Sequence, residues 1–219
     1  MTLTMSTADL ARYTRTQVEH LFPAKGAWDA RRFRRDVGKA LDRVEHCFRH
    51  IAHPSYSDAA GARFDPFQSD QYCQYLYFLS RTVHEESQDR RLAGRLFALN
   101  KALHAFNCMY DTVLPDIFWV IHAVGTVLGK ASYSDYLVVR QNCTVGAIRG
   151  EYPVMGEGLI LSAGASVIGA CRIGRNVMVG PGCQVVNQDL PDDTFVASAP
   201  TLKRRKNGPR PFEAHFHPR

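Results

Sequence analysis

His122 is the only histidine between Ala105 and Ala214. Imidazole titrates near neutral pH, so an isolated histidine of this kind is a candidate general base. Such a base works better when a carboxylate orients it and stabilises the imidazolium. Two carboxylates stand just upstream, Asp116 and Asp111, and either reads equally well as a turn residue beside Pro115. Asp135 reads as a turn residue. The six cysteines (Cys47, Cys73, Cys108, Cys143, Cys171 and Cys183) are scattered and form no CxxC pair. Neither a zinc site nor a redox motif is indicated, and no metal is expected.

The scaffold that must carry His122 shows itself as a period. Met155, Leu161, Val167, Ile173, Val179 and Val185 recur at every sixth position. Six fits neither strand alternation nor a helix. It fits a chain that makes short straight faces and turns by about 120° after each. A smaller side chain follows four residues later in Ala165, Cys171, Val177 and Cys183. The cysteines among them read as core residues of a reducing compartment. Val139 and Val145 keep the register, and the step from Leu128 to Val139 is one residue short of two repeats. Between Gly146 and Met155 a loop interrupts the repeat, and loops that leave a rigid scaffold commonly carry function.

Residues 114–202 are therefore expected to form a left-handed parallel β-helix. Residues 1–113 read as a helical domain, which makes the chain α+β with the helices first. Helical spacing runs from Trp28 to Ile51, where His53-Pro54 ends it. A Ser-, Asp- and Gly-rich loop leads to a second helix capped by Ser69 or Asp70, and a third spans 91–106. The tail, 203–219, is rich in Pro, Lys, Arg and His and is expected to be partly disordered.

The net charge is +6, with basic clusters at 31–35 and 203–206. No aromatic-basic platform accompanies them, so no nucleic-acid partner is expected. No run is long enough to span a membrane, and the N-terminus lacks an apolar leader, so a cytoplasmic protein is expected.

Four segments carry a resemblance. HAVGTVLG at 122–129, QNCTVG at 141–146, the repeats of 155–174 and ASAPT at 197–201 resemble matching stretches of the serine acetyltransferases. The order of helical domain and β-helix is similar too. The resemblance implies acetyl transfer from acetyl-CoA to the hydroxyl or amine of a small acceptor, a serine-like amino acid or a sugar. His122 stands in the place of the family's base. The acceptor attacks directly, so no Ser or Cys nucleophile is required, and Cys143 should be a buried, inert thiol. Amides around Gly146 would meet the oxyanion. Pantetheine would run along Ala147, Ala163, Gly164, Gly169 and Ala170, residues that also suit the turns alone. Lys203 and Arg204 would meet the phosphates of CoA, or belong to a solvated tail. Asp65, in Asp65-Pro66, matches an Asp-Pro that helps the family hold its acceptor. The family also implies a homotrimer or a dimer of trimers, with the site between subunits.

The departures bear on the acceptor. Ile121 stands where the family has an aspartate before its base. Glu151-Tyr152-Pro153 replaces Arg-His-Pro, with Arg149 near the place of a family lysine. Glu151 would repel a carboxylate, and Tyr152 offers an aromatic face suited to a sugar ring. Free L-serine is accordingly expected to be a poor acceptor. The chain closes on His217-Pro218-Arg219 rather than on the isoleucine by which the family docks into cysteine synthase, so no such complex is expected. The alternative is a non-catalytic trimeric scaffold. A zinc relative of carbonic anhydrase type would need three histidines, and only His122 falls within the coils.

Overall fold

Among the described residues four helices open the chain, and each begins at a side chain that accepts the N–H three residues on. Ser6 caps α1 (Thr7–Leu21), Asp29 caps α2 (Ala30–Arg49), Gln68 caps α3 (Ser69–Glu86) and Asp89 caps α4 (Arg90–His104). The computed structural model describes residues 1–25, 29–197, 202–204 (backbone only) and 210–218. Trp28, the expected start of the first periodic segment, lies outside them. The cap of α3 is Gln68, not Ser69 or Asp70, which leaves the Asp70 carboxylate for other work.

The expected loop before α3 is partly a sheet. Strand β1 (Thr2–Leu3) runs parallel to β3 (Gly61–Phe64), which pairs antiparallel with β2 (Ser57–Asp58). Strands this short leave no readable alternation. Helix α3 lies at the centre of the domain, with Tyr72, Cys73, Tyr75, Leu76, Phe78 and Leu79 all buried.

The remainder is a left-handed β-helix. Its strands follow in order: β4 (Phe118–Ile121), β5 (Val127–Leu128), β6 (Leu137–Arg140), β7 (Thr144–Gly146), β8 (Val154–Met155) and β9 (Ile160–Leu161). Then come β10 (Ser166–Ile168), β11 (Arg172–Ile173), β12 (Met178–Val179), β13 (Gln184–Val186), β14 (Thr194–Val196) and β15 (Leu202–Arg204). One face stacks β4, β6, β9, β12 and β14, a second β5, β7, β10 and β13, and the third β8 and β11. Pairing within the coils is parallel, and β15 turns back antiparallel on β14. The six residues of the period, Met155 to Val185, all point inward, with at most 4% of their surface exposed. Among the described residues no helix is long and apolar enough to cross a membrane.

β4 opens the stack and has a strand neighbour on one side only. Its other edge is satisfied by α3. The Gln74 amide donates to the Phe118 carbonyl at 3.0 Å and accepts from the Val120 N–H at 3.2 Å, as a neighbouring strand would. The Cys47 thiol donates to the same carbonyl at 3.0 Å. Burial pushes that thiol up to about 12, so it remains a neutral donor.

The expected disorder of the tail does not hold for residues 210–218. Pro211–Ala214 form a short 3-10 turn, and Phe212 and Phe216 are buried against Tyr136. Phe212 occupies the space a side chain at Gly158 would need: an added Cβ would lie 2.5 Å from its ring. Ala52 N–H donates to the His215 carbonyl, and His217 N–H to that of His50. Two phenylalanines outweigh the polar composition that argued for solvent.

The edge account is testable. Gln74→Leu keeps the side chain's bulk but strands a buried N–H and weakens the hold on a carbonyl. A loss of roughly 1–3 kcal/mol is expected, read as a lower urea midpoint at unchanged m-value. An unchanged midpoint would show that this edge needs no protein partner.

Candidate active site

His122 directly follows β4 and turns the chain out of the first face with a left-handed backbone, φ +57°. A non-glycine residue in that region costs about 1 kcal/mol and needs support. Asp70, in the first turn of α3, supplies it. Its Oδ2 accepts the His122 N–H at 2.9 Å and its Oδ1 the Ala123 N–H at 3.2 Å. The same Oδ2 lies 3.9 Å from His122 Nδ1, with the imidazole 71% exposed and the carboxylate 15% exposed. With Nδ1 turned to Asp70, Nε2 is left for a ligand.

The imidazole borders a cleft of about 410 Å³ between the helical domain and the first two coils. Gln68, Asp70, His122 and Arg140 line it, with His53, Tyr56, Trp119 and His215 as the aromatic wall. The Trp119 ring centre is 5.7 Å from that of His53, 5.4 Å from Tyr56 and 5.9 Å from His215. Burial pushes the Tyr56 phenol up. Burial also lowers His215, helped by the nearby Arg140 charge and opposed by a bond to the Pro211 carbonyl.

The two carboxylates singled out upstream do not reach His122. Asp111 pairs with Lys130 at 3.0 Å. Asp116 precedes β4 whereas His122 follows it, and it borders a separate hollow with Tyr133 and Asp135. An extended strand puts its ends far apart, so nearness in sequence misleads here. Asp135 is a turn residue, accepting the Ile117 N–H. Asp65 is absorbed at the start of α3: its carboxylate accepts from Thr4 Oγ1 and Phe67 N–H and does not line the cleft.

The expected CoA contacts divide between two corners of the coil. Ala163 and Gly164 share the corner of His122, in the column linking Val124, Asn142, Gly164 and Gly182. Gly146, Ala147, Gly169 and Ala170 lie at the next corner, beyond the face of β7 and β10. The amides of Gly164, Gly169 and Ala170 are already spent on Gln141, Gly146 and Asn187. Gly146 faces open space, with nothing within 4 Å of an added Cβ. Arg149, Glu151 and Tyr152 form a hairpin at this second corner, where Arg149 and Gly150 both take positive φ and Ile148 pairs with Glu151. The side chains of Lys203 and Arg204 lie outside the described residues. Cys143 is buried, its thiol raised by burial and bonded to the Ser162 carbonyl at 3.0 Å. Among the described residues no group of three His, Cys, Asp or Glu could hold a metal ion.

No protein-family model matches the chain. Over 97 residues it is 32% identical to a serine acetyltransferase of Synechococcus elongatus, a stretch covering 42% of this chain and 39% of that one. It superposes on a serine acetyltransferase from Vibrio cholerae with a TM-score of 0.70 at 18% identity, covering 93% of this chain and 81% of the other. The fold is that of the serine acetyltransferases. A serine acetyltransferase solved in complex with CoA gives a TM-score of 0.66 at 15% identity, covering 91% and 85%. The chain spans about two fifths of the length of the Synechococcus relative it matches.

Sequence reasoning named Asp70 only as a cap and His53 only as the end of a helical segment, and it singled out neither Arg140 nor His215. Asp70→Asn should lower kcat by roughly 10- to 100-fold for any reaction in which His122 is the base. Asp111→Asn and Asp116→Asn should each leave kcat within about twofold. Steady-state rates of the three variants decide, and equal losses would remove Asp70 from its role.

Proposed function

We propose that the chain transfers an acetyl group from acetyl-CoA to the hydroxyl or amine of a small acceptor, with His122 as general base. The observation that carries this is the His122–Asp70 pair at the mouth of a cleft, on a fold shared with acetyltransferases, one of them solved with CoA. His122 Nε2 takes the proton of the acceptor as its oxygen or nitrogen bonds to the thioester carbonyl carbon. The tetrahedral intermediate collapses with cleavage of the C–S bond, and the imidazolium returns the proton to the leaving thiolate. Asp70 stabilises the imidazolium in between. Acetyl-CoA is a co-substrate here, and no step calls on a metal.

We also propose a homotrimer, or a dimer of trimers joined through the helical domain. Within one chain, His122 and the hairpin of Arg149, Glu151 and Tyr152 occupy different corners. A groove using both, with Gly146 amides near the oxyanion, requires corners from two copies. Exposed Val124, Val127 and Val154 lie on the coil surface that such packing would cover.

His122→Ala should reduce thiol release from acetyl-CoA in the presence of acceptor by ~10²–10⁴-fold, with CoA binding retained. Unchanged turnover would place the base elsewhere, and no turnover in the unmodified protein with any acceptor would favour a scaffold. Light scattering at micromolar concentration should give three or six times the chain mass. A monomer mass would sink the shared site.

A further inference from the structure

Arg140 ends β6 and pairs in register with Ile121 of β4, one rung from the corner where His122 stands. It is half-buried and lines the same cleft. Other cations are held by carboxylates: Arg175 by Asp192, Lys130 by Asp111 and Arg43 by Glu85. Among the described residues the Arg140 guanidinium makes no hydrogen bond and no ion pair. Among the described residues Asp70 is the one carboxylate that lines the cleft, and it is held by two backbone N–H groups. A weakly hydrated, planar cation beside an aromatic wall suits a planar or tetrahedral oxyanion.

The groups around it sort into donors and acceptors. His53 Nδ1 accepts the Ser55 N–H at 3.2 Å, which puts the proton of the neutral ring on Nε2 as a donor. His215 Nδ1 lies 3.0 Å from the Pro211 carbonyl, an acceptor only, so Nδ1 carries the proton and Nε2 has a free lone pair.

We infer that Arg140 anchors an oxyanion on the acceptor, a carboxylate or a phosphate ester, and that His215 of the chain's own C-terminal segment completes that subsite as a hydrogen-bond acceptor. The inference rests on the acetyl-transfer reading. It reverses the expectation drawn from Glu151: a positive charge stands beside His122 itself, at a different corner from the hairpin that carries Glu151.

The test uses two matched pairs with acetyl-CoA, L-serine against L-serinamide and glucosamine 6-phosphate against glucosamine. Calorimetric binding is measured beside kcat/KM. At least one anionic compound should be preferred over its neutral partner by ~10- to 100-fold. Arg140→Gln should abolish that preference by raising KM for the acceptor with KM for acetyl-CoA unchanged, and Arg140→Lys should restore part of it. His215→Phe, which keeps the packing on Trp119, should raise KM for the acceptor by ~10-fold. Preference for the neutral partners, or a preference that survives Arg140→Gln, overturns the inference and leaves acetyl transfer standing. Anion binding lost in Arg140→Gln, without turnover, upholds the subsite and removes the acetyl-transfer reading.

Discussion

A strand at the end of a stack has N–H and C=O groups that must be satisfied by something other than a strand. In this chain that constraint falls on β4, and α3 meets it with side chains one helical turn apart. Gln74 reads the strand's backbone at Phe118 and Val120, and Asp70 reads it at His122 and Ala123. Helical spacing of four residues thus spans the strand end and the turn beyond it. Closing the fold and fixing the candidate base are one act. The left-handed backbone of His122 is tolerable because the Asp70 carboxylate bonds to it directly.

Regular coils explain why the chemistry is spread as it is. Three faces per turn put residues a few positions apart in sequence at different corners, and residues a full coil apart in one column. Ile121 and Arg140 are neighbours for that reason, while Gly146 and His122 are not. The hairpin at Arg149 and Gly150 is extruded without disturbing the stack, since Ser166 pairs with Thr144 across it in regular register. A scaffold so repetitive leaves specificity to whatever is added at its ends and loops.

The coils were legible because an inward position in a solenoid admits little variation. Met155 to Val185 keep the period, and the contraction between Leu128 and Val139 reappears as the pairing of Leu128 with Val145. His122 was legible as an isolated imidazole. Its carboxylate was not, since Asp70 is 52 positions away and local pattern marks it only as a helix start. Arg140 reads as an ordinary outward residue of a strand until the helical domain is placed above it. His215 was hidden by its surroundings: Phe212 and Phe216 find seats at Gly158 and Tyr136 that no local pattern announces.

The two ends of the coil are stopped by different means. At the first, side chains of α3 take the place of a strand. At the last, β15 lies antiparallel on β14, reversing the chain direction on that face. On that face neither end presents a free parallel edge, which disfavours two copies joining end to end there. The protection at the first end is held by side chains alone and belongs to a separate helical layer. Conditions that loosen α3 while sparing the coils would uncover a flat, parallel edge, and self-association through that edge is the failure to which this architecture is most exposed.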